Sequence, residues 1–245
     1  MDIPKAKIPK EYQLKIKHKS PDGYPKKFFV FTMAGSSRAG KTTCLISFID
    51  KLAQCYTNVV IFSPSADDPQ WMALKKHDNV YRSNLISNHI LSNLFNWQKQ
   101  LHSQNKNDGS HMLLVLDDFG ILAKEKGANV SKPLKEPETV SSGICQMLDL
   151  IYSWGRHKSM SLISSFHDSL QMSPLQCVNL SHWIIYHLND KQYEKIAPEL
   201  RCHLSEQEFV NMANEYTSKP FHFLYTDLKV ANNDDLFKQG KPQQE

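Results

Sequence analysis

The loop at residues 35–42 constrains the fold of this chain more than any other segment. Its sequence is GSSRAGKT, which matches the pattern GxxxxGK[ST] at every fixed position. An apolar run at residues 28–33 precedes the loop, and residues 41–54 continue with the apolar period of a helix. Glycines allow successive backbone N–H groups to face one anion, and the helix adds its positive N-terminal end. The sequence therefore predicts a strand, a phosphate-binding loop (P-loop) and a helix.

The P-loop predicts where a nucleoside triphosphate and Mg²⁺ bind. Lys41 can reach the β- and γ-phosphates, and the hydroxyl of Thr42 can ligate Mg²⁺. A glycine turn with an accidental lysine is the alternative, but the flanking strand and helix argue against it. The predicted nucleotide-binding residues are Gly35, Ser36, Ser37, Arg38, Ala39, Gly40, Lys41, Thr42 and Thr43.

Two acidic residues, Asp117 and Asp118, follow a second apolar run at residues 112–116. A P-loop site needs a carboxylate for Mg²⁺ at the end of another strand, and Asp117 is predicted to hold the metal through a water molecule. Asp118 is predicted to polarise the attacking water as general base. Two adjacent acids also suit a turn, but a P-loop about seventy residues upstream favours the metal site. The second acid indicates hydrolysis by water rather than transfer to a bound acceptor.

A third group of polar residues ends a strand predicted at residues 160–165. In P-loop ATPases with a strand added between the P-loop strand and the metal strand, the added strand ends in a polar residue that faces the γ-phosphate. Ser164, Ser165 and His167 are the candidates here, and His167 is assigned the catalytic role. An ordinary loop histidine is the alternative for His167.

The alternation of strands and helices predicts an α/β domain with the P-loop NTPase fold. Its mostly parallel central sheet is flanked by helices, and one strand is added between the P-loop and metal strands. Further strands are expected at residues 59–62, 182–187 and 221–226, and helices at 68–76, 84–103 and 142–155. The predicted domain covers residues 28–228. An extended basic arm at residues 1–27 precedes it, and a polar, disordered tail at residues 229–245 follows it.

The charge of the chain is concentrated in the N-terminal arm, which holds eight lysines against three acidic residues. Such an arm is attracted to a polyanion such as nucleic acid, and a solubilising tail is the alternative. Five widely spaced cysteines without a CxxC pair indicate reduced thiols. No run of eighteen apolar residues or N-terminal secretory signal occurs, so no association with a membrane is expected.

Together these motifs resemble the poxvirus-type DNA-packaging ATPases of large DNA viruses, within the superfamily of FtsK and HerA DNA pumps. The matching pieces span roughly residues 28–195. They are the P-loop with its strand, IFSP at 61–64, LLVLDDFG at 113–120, GRH at 155–157 and, more loosely, residues 162–163 and 174–182.

The resemblance implies an ATP-hydrolysing motor that translocates double-stranded viral DNA into a capsid. It implies a homo-oligomeric ring, pentamer or hexamer, that acts with the capsid or its portal vertex. The location implied is the host cell, in the cytoplasm or at the viral assembly site, or the virion itself. ATP and Mg²⁺ are the implied cofactors, with the roles given above for Lys41, Thr42, Asp117 and Asp118. Two features depart from the pattern: members commonly carry Gln in place of His167, and the loop at residues 121–140 is longer than expected.

Arg156 is predicted to act in trans, on the nucleotide of a neighbouring subunit. The transition state of phosphoryl transfer spreads negative charge over the γ-oxygens, and ring ATPases often place an arginine there. The chain has four arginines, and Arg38, Arg82 and Arg201 lie in less suitable segments. A structural arginine at a helix C-terminus is the alternative for Arg156.

Two other functions fit a P-loop. A nucleoside or small-molecule kinase needs an acceptor pocket and usually an arginine-rich lid, which four arginines hardly supply. A nucleotide-binding assembly factor would turn over rarely, and the intact set of Lys41, Thr42, Asp117 and Asp118 argues against it.

Overall fold

A computed structural model of the chain describes residues 20–22, 24–25, 28–104, 110–118, 144–167, 172–200, 204–229 and 236–240, with only the backbone at 144–145. The strands are β1 (Val30–Ala34), β2 (Asn58–Phe62), β3 (Val80–Ser83), β4 (Met112–Leu116), β5 (Met160–Phe166), β6 (His182–Ile185), β7 (Phe223–Asp227) and β8 (Phe237–Gly240). The α-helices are α1 (Lys41–Leu52), α2 (Asn88–Gln104), α3 (Ile144–Trp154), α4 (Pro174–Val178), α5 (Asp190–Ile196) and α6 (Glu206–Tyr216). Short 3₁₀ segments lie at Ala53–Cys55, Pro69–Lys76, Gly155–Lys158 and Ala197–Leu200.

The described strands form one sheet in the order β3-β2-β4-β5-β1-β6-β7-β8. The pairs from β3 to β6 are parallel, and β7 and β8 are added antiparallel. Strand β5 lies between the P-loop strand β1 and the acid-bearing strand β4. The α/β fold class, the mostly parallel sheet and the added strand are therefore confirmed.

Helices cover both faces of the sheet, which explains why its central strands are buried along their whole length. All residues of β1, β4 and β5 are buried. Successive side chains of a strand point to opposite faces. Thus Phe31 and Met33 of β1 pack in the cluster that contains α1, while Val30 and Ala34 pack in the cluster that contains α2, α3, α5 and α6.

Strand direction brings several loops to one edge of the sheet. The parallel strands end at the edge that carries the P-loop. Strand β7 begins at this edge, because Leu224 pairs with Ile185 and Ile185 pairs with Ala34. The turn between α6 and β7, at residues 217–222, therefore lies on the same side of the sheet as the P-loop.

Two strands were not predicted, and both lie at the edges of the sheet. Strand β3 is VYRS and pairs with β2; β8 is FKQG and pairs with β7. Neither sequence has an apolar pattern, because edge strands are held by backbone hydrogen bonds to one neighbour. Strand β8 falls within residues 229–245, for which disorder was predicted, and the structure differs from that prediction in these four residues.

Other differences from the predicted elements are smaller. Residues 69–76 form a 3₁₀ segment where an ordinary helix was expected. Strand β6 ends two residues earlier than predicted, and β7 begins two residues later and ends one residue later. Residues 1–19 of the arm and the loop at 121–140 lie outside the described residues. Within the part of the chain that is described, no helix is long and apolar enough to cross a membrane.

Candidate nucleotide site

Two glycines shape the loop between β1 and α1, each for a different reason. A Cβ added at Gly35 would lie 2.6 Å from Cβ of Tyr186, so no side chain fits there. Gly40 precedes α1 with φ of 94°, a conformation that favours glycine. The loop follows β1 directly and is tied to β5, because the Gly35 N–H donates to the Phe166 carbonyl at 3.2 Å. Gly35 is therefore required by the close approach of Tyr186, and Gly40 by its backbone conformation.

The ammonium group of Lys41 is held inside this loop. The side chain is 5% exposed, and its Nζ donates to the carbonyls of Gly35 (2.9 Å) and Ser36 (3.0 Å). Burial lowers the pKa of Lys41, while the charges of Asp118 and Asp117 oppose that shift. A buried cation at a helix N-terminus is well placed to bind an anion.

The carboxylate of Asp117 is buried between two hydroxyl groups. Ser165 of β5 donates to Oδ1 at 2.6 Å, and Ser63, which follows β2, donates to Oδ2 at 2.9 Å. The side chain is 2% exposed. Burial raises the pKa of Asp117, and the two hydroxyl hydrogen bonds partly offset the increase. Residues from three neighbouring strands thus orient one carboxylate at the P-loop edge.

His167 lies between Asp118 and the P-loop lysine. Nε2 of His167 lies 2.7 Å from Oδ2 of Asp118, and Nδ1 lies 3.2 Å from Nζ of Lys41. Lysine only donates, so Nδ1 accepts and Nε2 carries the proton that it donates to Asp118. Oδ1 of Asp118 is buried and has no hydrogen-bond partner among the described residues. His167 therefore links the second acid to the P-loop lysine.

The two serine candidates at the end of β5 lie on opposite faces of the sheet. Ser165 contacts Asp117, and its Oγ also accepts from the Asp118 N–H at 3.0 Å. Ser164 lies on the opposite face, where its Oγ is 2.8 Å from Oγ1 of Thr32 and 2.7 Å from the hydroxyl of Tyr152. Ser164 was a candidate to face the γ-phosphate, and this was wrong because neighbouring residues of a strand alternate between faces.

The remaining predicted residues lie on the loop, in the first turn of α1 and in the segment before β5. Ser36, Ser37 and Arg38 are exposed on the loop, Thr42 is half-buried and Thr43 is exposed in the first turn of α1. Arg156 is exposed in the 3₁₀ segment that precedes β5. This segment lies at the edge of the sheet opposite to the P-loop.

Ser63 is a site residue that sequence reasoning did not assign. Its signal was available: it is the first polar residue after the apolar run of β2, and parallel strands end at the same edge. The prediction also required knowing that β2 is the neighbour of β4, which the sequence order does not show.

Comparison with known proteins finds similarity in structure and none in sequence. No protein-family model matches the chain, and no curated protein matches it by sequence. The DNA-packaging ATPase of Sulfolobus Turreted Icosahedral Virus superposes with a TM-score of 0.58 at 17% identity, over 88% of this chain and 98% of that chain. The genome-packaging NTPase of Sulfolobus turreted icosahedral virus 2, solved with AMPPCP, superposes with a TM-score of 0.56 at 18% identity. That match covers 89% of this chain and 98% of the viral chain. This chain has the P-loop NTPase fold.

A third protein of similar structure is much longer than this chain. The cytoplasmic domain of the Thermomonospora curvata type VII secretion ATPase EccC gives a TM-score of 0.59 at 14% identity. The match covers 88% of this chain and 26% of that one. Since all three identities are below 20%, the likeness concerns the fold.

The residues at the ends of β1 and β4 fit a nucleotide with Mg²⁺. Lys41 supplies the cation, which is held inside the loop at the start of α1. Thr42 and Asp117 offer the oxygen ligands that Mg²⁺ prefers. No group of three or more His, Cys, Asp or Glu side chains in the described ranges could hold a metal. Mg²⁺ commonly binds to one or two protein oxygens together with phosphate and water.

Proposed function

We propose that this protein hydrolyses ATP with Mg²⁺ and uses the energy to move double-stranded DNA into a viral capsid. One observation carries the hydrolase part of the proposal. The strand β5, placed between β1 and β4, brings His167 within hydrogen-bond distance of both the P-loop lysine and the second acid. The groups that we propose to bind phosphate and to activate water therefore lie side by side.

Each residue of the site has a defined part in this reaction. Lys41 binds the β- and γ-phosphate oxygens and balances the charge that develops on them. Thr42 and Asp117 hold Mg²⁺, which neutralises phosphate charge when it is bound. The loop residues 35–43 bind the phosphates through backbone N–H groups. Ser63 and Ser165 keep the Asp117 carboxylate in one orientation.

Asp118 acts as the general base. A water oxygen attacks the γ-phosphorus, the bond to the β–γ bridging oxygen breaks, and the water proton passes to the carboxylate. The hydrogen bond from Nε2 of His167 to Oδ2 holds this carboxylate in place. His167 positions this base and links it to the P-loop cation. Products are ADP and phosphate.

The DNA-translocating part of the proposal rests on other support. A DNA-packaging ATPase of nearly matching extent shares the fold, and the motifs resemble those of viral packaging enzymes. The arm at residues 1–27 carries eight lysines, which would attract DNA phosphates. The protein would work as a homo-oligomeric ring, pentamer or hexamer, at the capsid or portal vertex. It would act in the host cell, in the cytoplasm or at the assembly site, or within the virion.

The proposal is tested by phosphate release with Mg²⁺ and ATP, with and without double-stranded DNA. We expect turnover that DNA stimulates and that Lys41→Ala abolishes while the fold is retained, because the phosphate charge loses its cation. Lys51→Ala is the matched control, since Lys51 is exposed in the last turn of the same helix.

Other outcomes would contradict the proposal in identifiable ways. Transfer of phosphate to a nucleoside or another small acceptor would indicate a kinase. Tight binding of ATP without phosphate release would indicate an assembly factor. Wild-type turnover in folded Lys41→Ala protein would show that the P-loop is not the site of hydrolysis.

A further inference from the structure

Phe221 is an exposed aromatic residue in an unfavourable backbone conformation. It lies in the turn between α6 and β7, its side chain is 55% exposed, and its φ is +63°. This left-handed region suits glycine, and a bulky side chain there costs stability. Burial of the ring does not offset this cost. The sequence had predicted the strand to begin at this residue, but the structure begins it at Phe223.

The ring of Phe221 lies against the P-loop. A Cβ added at Gly40 would be 3.0 Å from Cδ1, 3.8 Å from Cε1 and 3.9 Å from Cγ of Phe221. Gly40 is the residue before Lys41, at the start of α1. One edge of the ring therefore packs on the loop, and the rest of the ring is open to solvent.

The order of strands places Phe221 and the acids on opposite sides of the P-loop. Asp117, Asp118 and His167 come from β4 and β5, on one side of β1. The turn with Phe221 leads into β7, which lies beyond β6 on the other side. Because the acids mark the position of the γ-phosphate, a triphosphate on this loop would direct its nucleoside end away from them, toward Phe221.

We propose that the ring of Phe221 is the platform on which the nucleobase of the bound nucleotide stacks. This inference rests on the proposed function, since it needs a nucleotide on the P-loop. Every base has a flat π-face, so an aromatic ring binds it through stacking without reading its edge. A purine covers more of the ring than a pyrimidine does. The platform therefore favours ATP and GTP over CTP and UTP.

The test compares ATP with inorganic tripolyphosphate, which carries the phosphates and no base. Dissociation constants are measured calorimetrically with Mg²⁺ for the wild type, Phe221→Gly, Phe221→Ala and Phe221→Trp. We expect Phe221→Gly and Phe221→Ala to weaken ATP about tenfold or more, as loss of one stacking contact does. Their affinity for tripolyphosphate should be unchanged, and Phe221→Trp should bind ATP like the wild type.

The melting temperature of the variants provides a second measurement, and for Phe221→Gly it should not fall although the ATP affinity does. Phe221→Gly removes the backbone strain, so its melting temperature should equal or exceed that of the wild type while its ATP affinity falls. Tyr81→Ala is the matched control for Phe221→Ala, because Tyr81 is equally exposed at 55% but lies on the distant strand β3. It should leave the affinity for both ligands unchanged.

The platform is overturned if the Phe221 variants bind ATP like the wild type. It is also overturned if they weaken ATP and tripolyphosphate equally, because the ring would then support the loop rather than the base. In either case the proposed hydrolase function stands. Failure of the wild type to bind ATP or tripolyphosphate would overturn that function, and the platform with it.

Discussion

The Nζ atom of Lys41 lies between the carbonyls of its own loop and the ring of His167. Through that ring it is connected to Asp118, the proposed general base. The imidazole thus joins the P-loop lysine to the proposed base, with Nδ1 accepting and Nε2 donating. The position of Asp118 depends on this ring and on the N–H···Oγ bond to Ser165. At the scale of single residues, the site is a short series of hydrogen bonds.

The two acids are expected to differ when each is replaced by its isosteric amide. Asp118→Asn should bind Mg·ATP normally but hydrolyse it at least about a hundredfold more slowly, because the general base is lost. Asp117→Asn should weaken Mg²⁺-dependent binding of ATP. Single-turnover hydrolysis and calorimetric binding distinguish the two effects. A loss of nucleotide affinity alone in both variants would show that the roles are assigned wrongly.

Replacement of His167 tests whether the ring positions the base. Glutamine has one acceptor and one donor, so His167→Gln can bridge Lys41 and Asp118 and should retain most of the kcat. His167→Ala cannot, and its kcat should fall about tenfold or more with little change in ATP affinity. Steady-state kinetics measure the split between kcat and KM. Equal activity of the alanine variant and the wild type would leave His167 as an ordinary loop residue.

Strand order decides which elements supply the site. Strands β2, β4 and β5 end side by side, so Ser63, Asp117 and Ser165 meet although they are far apart in sequence. The antiparallel strand β7 places Tyr225 and Asp227 beside β6. Here Nδ1 of His182 lies 3.0 Å from the hydroxyl of Tyr225 and 3.4 Å from Oδ1 of Asp227.

The contact between β6 and β7 predicts a pH-dependent stability. Burial lowers the pKa of His182 to about 4, and the charge of Asp227 opposes the shift only in part. In the unfolded chain the pKa of this histidine is near 6.5, so the unfolded chain binds the proton at a higher pH than the folded protein does. The free energy of unfolding is therefore highest above pH 6.5 and decreases as the pH falls toward 4. At pH 5 the loss should be on the order of 1–2 kcal/mol relative to pH 7.

This effect is measured by urea unfolding at pH 7 and pH 5. His182→Phe should show a smaller difference between the two pH values, even if its stability at pH 7 is lower. His89→Phe is the control, because His89 is exposed on α2 and the substitution should leave the pH dependence intact. An unchanged pH dependence in His182→Phe would mean that other groups cause it.

Arg156 and the P-loop of the same chain lie at opposite edges of the sheet. Arg156 precedes β5, whereas the P-loop contacts the far end of that strand at Phe166. Seven residues at about 3.3 Å each place the two ends roughly 20 Å apart. An arginine side chain does not cover that distance. If Arg156 contributes to hydrolysis, the nucleotide must belong to a neighbouring subunit.

Mixing two inactive variants tests the predicted action of Arg156 in trans. Arg156→Ala should be nearly inactive, because the charge on the γ-oxygens loses a partner. Mixed with Lys41→Ala, it should regain part of the activity, since some interfaces then combine an intact P-loop with an intact Arg156. Phosphate release and particle mass are measured on the same mixtures. Full activity of Arg156→Ala, or an inactive mixture that contains mixed oligomers, would make the arginine structural.

The sequence alone determined the local elements and the chemistry at their ends. The P-loop, the central strands and the pair of acids were predictable because motif residues and apolar runs are properties of short segments. Only the tertiary structure decided that Ser165 rather than Ser164 reaches Asp117, that Ser63 joins it, and that Phe221 lies on Gly40. These contacts join residues far apart in the sequence, such as Ser165 and Asp117, which are 48 residues apart. They depend on strand order, strand direction and face, which arise from packing of the whole sheet.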